Sequence, residues 1–168
     1  GGTVEGYCGI GIKSGTLNLS GGTVNGITND TVIGDQHSST DGISYDGSAI
    51  LIDSYIGYAG QVKINISGDA TVKSNYSTAI REIGNNASQT NVVAVTVTGG
   101  KVLSGTSKDA IQMREASVST VSLTGGTFSS DVSQYCEKNY YAEENEDSTY
   151  TVKSMKDIAV AQIGDTYY

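Results

Sequence analysis

The stretch "TLNLSGGTV" (16–24) has apolar residues at alternate positions, followed by two glycines and Thr-Val. Variants of this phrase recur at 63–72, 95–102 and 121–128, and "GGTV" opens the sequence at residue 1. Alternation with a period of two predicts a β-strand with one buried face. Because such short strands are unstable alone, the recurrence predicts that equivalent faces stack on one another.

The copies of the phrase align column by column when they are indexed on their first glycine. These glycines are 20, 47, 31 and 26 residues apart, at Gly1, Gly21, Gly68, Gly99 and Gly125. The shortest spacing is typical of one coil of a parallel β-solenoid, and the longer ones indicate coils that carry loops. The predicted internal columns include Leu17–Ile64–Val95–Val121 and Val4–Val24–Val72–Val102–Phe128.

A second recurring phrase, small-Ile-x-apolar, precedes each copy of the first at 9–12, 49–52, 79–82 and 110–113. It predicts a further column, Ile10–Ile50–Ile80–Ile111. The third copy departs from the pattern because Glu82 occupies the last apolar position, and we expect the neighbouring Ile83 to compensate.

Composition supports an all-β fold. The 168 residues include 22 glycines and 11 tyrosines but no proline or tryptophan, which favours many short strands joined by glycine turns. We therefore predict a parallel β-helix (solenoid) of about five coils over 1–130, with a loop insertion at about 26–47. A capping hairpin is predicted over 131–155, and 156–168 are read as a linker or the start of a following module. An antiparallel β-sandwich is the alternative, although it does not account for the columns.

The formal charge of −8 and the pI of about 4.4 argue against nucleic acid or an anionic membrane as a partner. No apolar run is long enough to cross a membrane. Cys8 and Cys136 lie near opposite ends of the repeat array, so we expect two free thiols. Neither has a metal-ligand neighbour at useful spacing, and no cofactor or metal is expected.

The end of the repeat array resembles a known family. "GGTF", "SSDVSQY" and "YYAEENEDSTYTV" (125–152) are similar to an ending found in large surface proteins of Gram-positive gut bacteria. Those proteins carry right-handed parallel β-helix domains of the pectate-lyase-like, adhesin type. The matching positions are Tyr141, Ala142, Asn145, Asp147, Thr149, Tyr150, Thr151 and Val152, and Ser148 replaces the usual glycine.

The resemblance implies a right-handed coil, secretion or display on the bacterial cell surface, and neighbouring modules in the same chain. Because the sequence opens in mid-phrase, it is expected to be a piece of a larger protein. The resemblance implies no ligand and no catalytic residue.

Binding residues are expected where the repeat is interrupted. Tyrosine offers a flat apolar face and a hydroxyl, so Tyr45, Tyr55 and Tyr58 are predicted to contact a ligand beside the acidic loop. The other candidate ligand-binding residues are His37, Asp46, Arg81 and Arg114. The predicted function is non-catalytic adhesion to a glycan or to a host glycoprotein such as a mucin or immunoglobulin.

Two alternatives stay open. The module can be a structural spacer without a ligand. It can also be a polysaccharide lyase or hydrolase, with His37 and the acidic loop as candidate chemistry.

Overall fold

Three parallel sheets form the body of the described chain. The computed structural model describes residues 1–33, 44–54, 60–83, 93–114, 119–158, 162–164 and 166–167. The strands of the three sheets are β1 (Thr3–Gly6), β2 (Ile10–Ile12), β3 (Gly15–Leu19), β4 (Thr23–Gly26), β5 (Ile50–Asp53), β6 (Val62–Ile66), β7 (Thr71–Ser74), β8 (Ile80–Ile83), β9 (Val93–Val97), β10 (Lys101–Leu103), β11 (Ile111–Gln112), β12 (Ser119–Leu123) and β13 (Thr127–Phe128).

Successive strands go to the three sheets in a fixed order. Sheet A contains β1, β4, β7, β10 and β13; sheet B contains β2, β5, β8 and β11; sheet C contains β3, β6, β9 and β12. All neighbouring pairs among these strands are parallel. The all-β class is confirmed, and parallel pairing contradicts the antiparallel sandwich. We call three successive strands, one from each sheet, a layer.

The registers confirm the columns predicted from the sequence. In sheet C, Leu17 pairs with Ile64, Ile64 with Val95, and Val95 with Val121. The isoleucine column runs through sheet B, from Ile10 to Ile111. The third column runs through sheet A, from Val4 to Phe128.

The burial of the column residues differs between layers. Ile50, Ile64 and Ile80 are fully buried, whereas Val4 is 48% exposed and Leu17 is half-buried. The expectation that every column position is internal is therefore wrong at Val4, Ile10, Leu17 and Val121, which are exposed or half-buried. The reason is geometric, because the strands β1 and β3 each have a partner strand on one side only.

The double glycine is explained by the corner between sheets C and A. Gly100 has a φ of +82°, and a Cβ there would lie 2.5 Å from the carbonyl oxygen of Ala70 in the preceding layer. Both observations favour glycine, through left-handed backbone and through close approach of layers. A Cβ on Gly21, the first glycine of its pair, meets nothing within 4 Å. In the copy with Asp69, the positive φ falls on Gly68.

A hairpin follows the last parallel strand. Its strands β14 (Tyr140–Glu144) and β15 (Tyr150–Ser154) are antiparallel, and β15 also pairs antiparallel with β13. Ser148, which stands where the resemblance expects glycine, has a φ of +61° in the turn. Tyr140 and Tyr150 pack against the core.

Short elements complete the described chain. Turns of 3₁₀ helix lie at Ser133–Tyr135 and Met155–Asp157, and β16 (Gln162–Ile163) pairs antiparallel with β17 (Thr166–Tyr167). Cys8 and Cys136 are free thiols, as predicted.

Candidate functional site

The large insertion leaves sheet A after β4 and returns just before β5. Its two ends are joined by a pair of backbone hydrogen bonds between Val32 and Tyr45, of 2.8 and 2.7 Å. The amide of Gly47 donates to the carbonyl of Tyr7, and the hydroxyl of Ser74 donates to the carbonyl of Gly47. The return end of the insertion is therefore fixed to the layers on both sides of it. His37 lies outside the described residues.

An aromatic pair marks this end of the insertion. The rings of Tyr7 and Tyr45 meet edge to face, with centroids 5.1 Å apart and an interplanar angle of 65°. Tyr7 is 58% exposed, and Tyr45 is half-buried. Tyr55 and Tyr58, which were predicted to form one patch with Tyr45, lie outside the described residues.

Asp46 and Arg81, two candidate ligand-binding residues, contact each other. The guanidinium Nη1 of Arg81 is 2.6 Å from Oδ2 of Asp46, and Oδ1 of Asp46 accepts from the amide of Ser48 at 2.9 Å. The carboxylate of Asp46 is completely buried, whereas 35% of the Arg81 side chain is exposed. Asp46 thus fastens the insertion to the outer face of sheet B, and Arg81 keeps an exposed edge.

Glu82 connects two layers. It is 4% exposed, and its Oε2 accepts from the amide of Arg114 at 3.1 Å and from the hydroxyl of Ser119 at 2.8 Å. The expectation that Ile83 compensates for Glu82 is incomplete. Ile83 is buried, but the carboxylate itself is also buried and is accommodated by these hydrogen bonds.

A groove lies on this side of sheet B, over its last two strands. Its volume is about 610 Å³, and it is broadly open to solvent. Its lining residues are Arg81, Glu82, Gln112, Met113, Arg114, Gln134 and Tyr135. We call it the main groove. Burial and the nearby carboxylate of Asp109 raise the pKa of Tyr135, so its phenol is neutral and able to donate near neutral pH.

A smaller groove of about 280 Å³ shares Arg81 and Gln112 with the main groove. Its other lining residues are Ser77, Thr78, Ser107, Lys108 and Asp109. The two grooves therefore meet along the outer edges of β8 and β11. Together they offer amides, hydroxyls and charged groups of both signs to an extended polar ligand.

No family model, curated protein or solved structure matches this chain. The described residues include no group of three or more histidine, cysteine, aspartate and glutamate side chains able to hold a metal ion. Within the same part of the chain, no helix is long and apolar enough to cross a membrane.

Both cysteine thiols are held neutral by their surroundings. Burial raises the pKa of Cys8 to about 11, and the carboxylate of Asp46 adds to the shift. Burial also raises the pKa of Cys136. Because the thiolate is the nucleophile, neither residue is suited to covalent chemistry at neutral pH.

Sequence reasoning identified Arg81 and Arg114 but missed the groove that they share. Gln112 is the outward position of the phrase "AIQM", and it pairs with Arg81 of "AIRE" in sheet B. The alignment of the two phrases therefore indicates that the polar side chains of Gln112 and Arg81 are adjacent. Gln134 and Tyr135 come from the segment after the last repeat, and no pattern in the sequence places them beside sheet B.

Proposed function

We propose that this chain is a non-catalytic binding module that recognises a glycan in the main groove. The observation that carries the proposal is the lining of the groove, where two guanidinium groups, two side-chain amides and a phenol converge on one open cleft. Of the residues predicted from the sequence, Arg81 and Arg114 belong to this site.

The chemistry of the lining suits sugar hydroxyl groups, which both donate and accept hydrogen bonds. The amides of Gln112 and Gln134 do the same, and the guanidinium groups add donors in a fixed planar arrangement. Tyr135 and Met113 supply apolar surface against which the carbon face of a sugar ring can pack.

The shape of the site favours an extended ligand. The main groove is open and continues past Arg81 and Gln112 into the smaller groove. A chain of several sugar units can lie across both, whereas a small compact molecule would leave most of its surface in water. The protein's net charge of −8 disfavours nucleic acid in the same place.

The scaffold proposed for this site is a closed right-handed parallel β-helix. The fixed order of sheets A, B and C and the parallel pairing of every layer support this proposal. The handedness, the display on a bacterial cell surface, the neighbouring modules and a glycoprotein partner such as mucin or immunoglobulin rest on the resemblance described above.

A glycan array, followed by calorimetry with the glycans that bind, tests the proposal. We expect Gln112→Ala and Arg114→Ala to weaken binding about tenfold each, because each removes hydrogen bonds made to the ligand. Gln61→Ala is the matched control, since Gln61 is an exposed glutamine that is not among the residues lining either groove. Lys63→Ala, on the outer side of β6, serves as the cationic control.

Two results would contradict glycan binding in the main groove, and a third would contradict the absence of catalysis. One is the absence of any glycan that the array and calorimetry both detect, which favours a spacer. The other is binding that survives both groove substitutions, which assigns recognition to another surface such as the Tyr7–Tyr45 pair. Cleavage of the bound glycan would contradict the non-catalytic assignment.

A further inference from the structure

Glu82 occupies a position that the other layers give to an apolar side chain. In the register of sheet B, Ile12 pairs with Ile52 and Ile52 pairs with Glu82. The isoleucines are 9% and 0% exposed, and Glu82 is 4% exposed. The corresponding residue of the following layer is Met113, which packs against the core.

This position does not need a carboxylate to build the sheet. Burying a carboxylate costs free energy that an isoleucine at the same place would not incur. An isoleucine at position 82 would also extend the apolar column by one member. The identity of Glu82 is therefore explained by its contacts and not by stacking.

Those contacts lie in the next layer, on both sides of the connection between β11 and β12. Oε2 of Glu82 accepts from the backbone amide of Arg114, two residues after β11, and from the hydroxyl of Ser119, the first residue of β12. One buried oxygen atom thus holds the two ends of this connection together. Both Glu82 and Arg114 line the main groove.

We propose that Glu82 is a positioning residue, which fixes the backbone of Arg114 and so sets the wall of the main groove. The consequence for ligand binding rests on the function proposed above. The positioning of Arg114 by Glu82 does not rest on the proposed function, because it concerns only the connection between β11 and β12. Binding sites need such supporting contacts since a loosely held side chain loses its geometry.

Two substitutions distinguish a role of Glu82 in positioning Arg114 from a role in stacking the layers of sheet B. Glu82→Gln keeps a carbonyl oxygen that accepts both hydrogen bonds, whereas Glu82→Ile completes the apolar column and removes both. We expect Glu82→Ile to fold with a melting temperature equal to or above that of the wild type. If it does not fold, Glu82→Met, which matches Met113, takes its place. Failure of both to fold would overturn the proposal, because Glu82 would then be required for the sheet.

The rate of trypsin cleavage after Arg114 under native conditions measures how firmly the backbone at this residue is held, and the measurement needs no ligand. We expect cleavage after Arg114 to become about tenfold faster in Glu82→Ile and to stay at the wild-type rate in Glu82→Gln. Cleavage after Lys63, which lies within β6, reports global unfolding and should not change. Equal rates after Arg114 in wild type and Glu82→Ile would overturn the proposal.

Binding to soluble mucin glycoprotein, measured by calorimetry, then tests the consequence. We expect Glu82→Ile to weaken binding about tenfold and Glu82→Gln to weaken it less, because glutamine keeps an oxygen that accepts both hydrogen bonds. Wild-type affinity in Glu82→Ile would overturn the role of Glu82 in the site. If the wild type binds neither mucin nor any arrayed glycan, the proposed function fails, and the trypsin result still decides the positioning.

Discussion

Sheets B and C contain the same number of described strands, but they differ in how closely their layers repeat. In sheet C, every strand has five residues and pairs with its neighbour along its whole length. Its inward side chains are aliphatic except at the first position, which is Gly15 in β3 and Ser119 in β12. On the outer side, Asn65 donates to Asn18. In sheet B, the strands have two to four residues.

Sheet B departs from this regularity on both its inner and its outer side. Glu82 breaks the inner column, and Arg81 on the outer side is held by the buried Asp46 of the insertion. Leu51 also lies in an outer position, yet it is only 2% exposed. Sheet C therefore uses its side chains for stacking. Sheet B gives up part of that regularity to hold the insertion and to line the grooves.

The largest effect is expected in sheet C. Ile64 is fully buried between Leu17 and Val95, so Ile64→Ala should lower the free energy of unfolding by about 4 kcal/mol, as truncation of a buried aliphatic side chain does. Urea denaturation measures this. Lys63→Ala, one residue earlier and exposed on the outer side, should change stability by less than about 0.5 kcal/mol. A loss below about 1 kcal/mol for Ile64→Ala would contradict the burial that defines this sheet.

A smaller effect, different for the two partners, is expected at the ion pair of sheet B. Arg81→Met leaves the carboxylate of Asp46 completely buried without its cation, and should cost about 2–3 kcal/mol. Asp46→Asn should cost about 1 kcal/mol, because the amide oxygen still accepts from Ser48 and the partly exposed Arg81 is solvated. Urea denaturation of both variants compares their losses in the free energy of unfolding. Equal losses would show that the difference in burial does not control the pair.

The effect expected at Cys8 is the smallest at neutral pH, because it is confined to alkaline pH. The thiol of the unfolded chain loses its proton near pH 9.0, whereas burial holds the folded thiol neutral to about pH 11. The folded state therefore binds more protons in this window, and the free energy of unfolding should fall as the pH rises from about 9 to about 11. Urea denaturation across this range should show a shallower fall for Cys8→Ala. An identical fall in both proteins would assign the effect to other groups.

The columns could be predicted because they depend on strictly local information. A period of two places alternate side chains on one face, and the recurrence of Leu17, Ile64, Val95 and Val121 in the same phrase aligns that face between layers. The hairpin at Tyr140–Ser154 was predictable for the same reason, since its strands are neighbours in sequence. Its turn residue Ser148 adopts the left-handed conformation that the usual glycine would favour.

The candidate site could be predicted only in part. Arg81 and Arg114 were identified from their equivalent places after the isoleucine column, and both line the main groove. The partner of Arg81 could not be identified, because Asp46 is 35 residues away at the end of an insertion that has no repeat. A charge pattern along the chain does not indicate which acidic residue returns to meet a given arginine.

The sequence by itself determined the strands, the glycine corners and the column in which each aliphatic residue lies. Each of these follows from a short repeated pattern, and stacking identical patterns leaves a single register in which the columns align between layers. Only the tertiary structure decided which polar residues meet, namely Asp46 with Arg81, Glu82 with Arg114 and Ser119, and Gln134 and Tyr135 with sheet B. The physical reason is that Asp46, Gln134 and Tyr135 come from segments outside the repeat and Glu82 departs from its pattern. Packing, and not periodicity, therefore sets the partners of these residues.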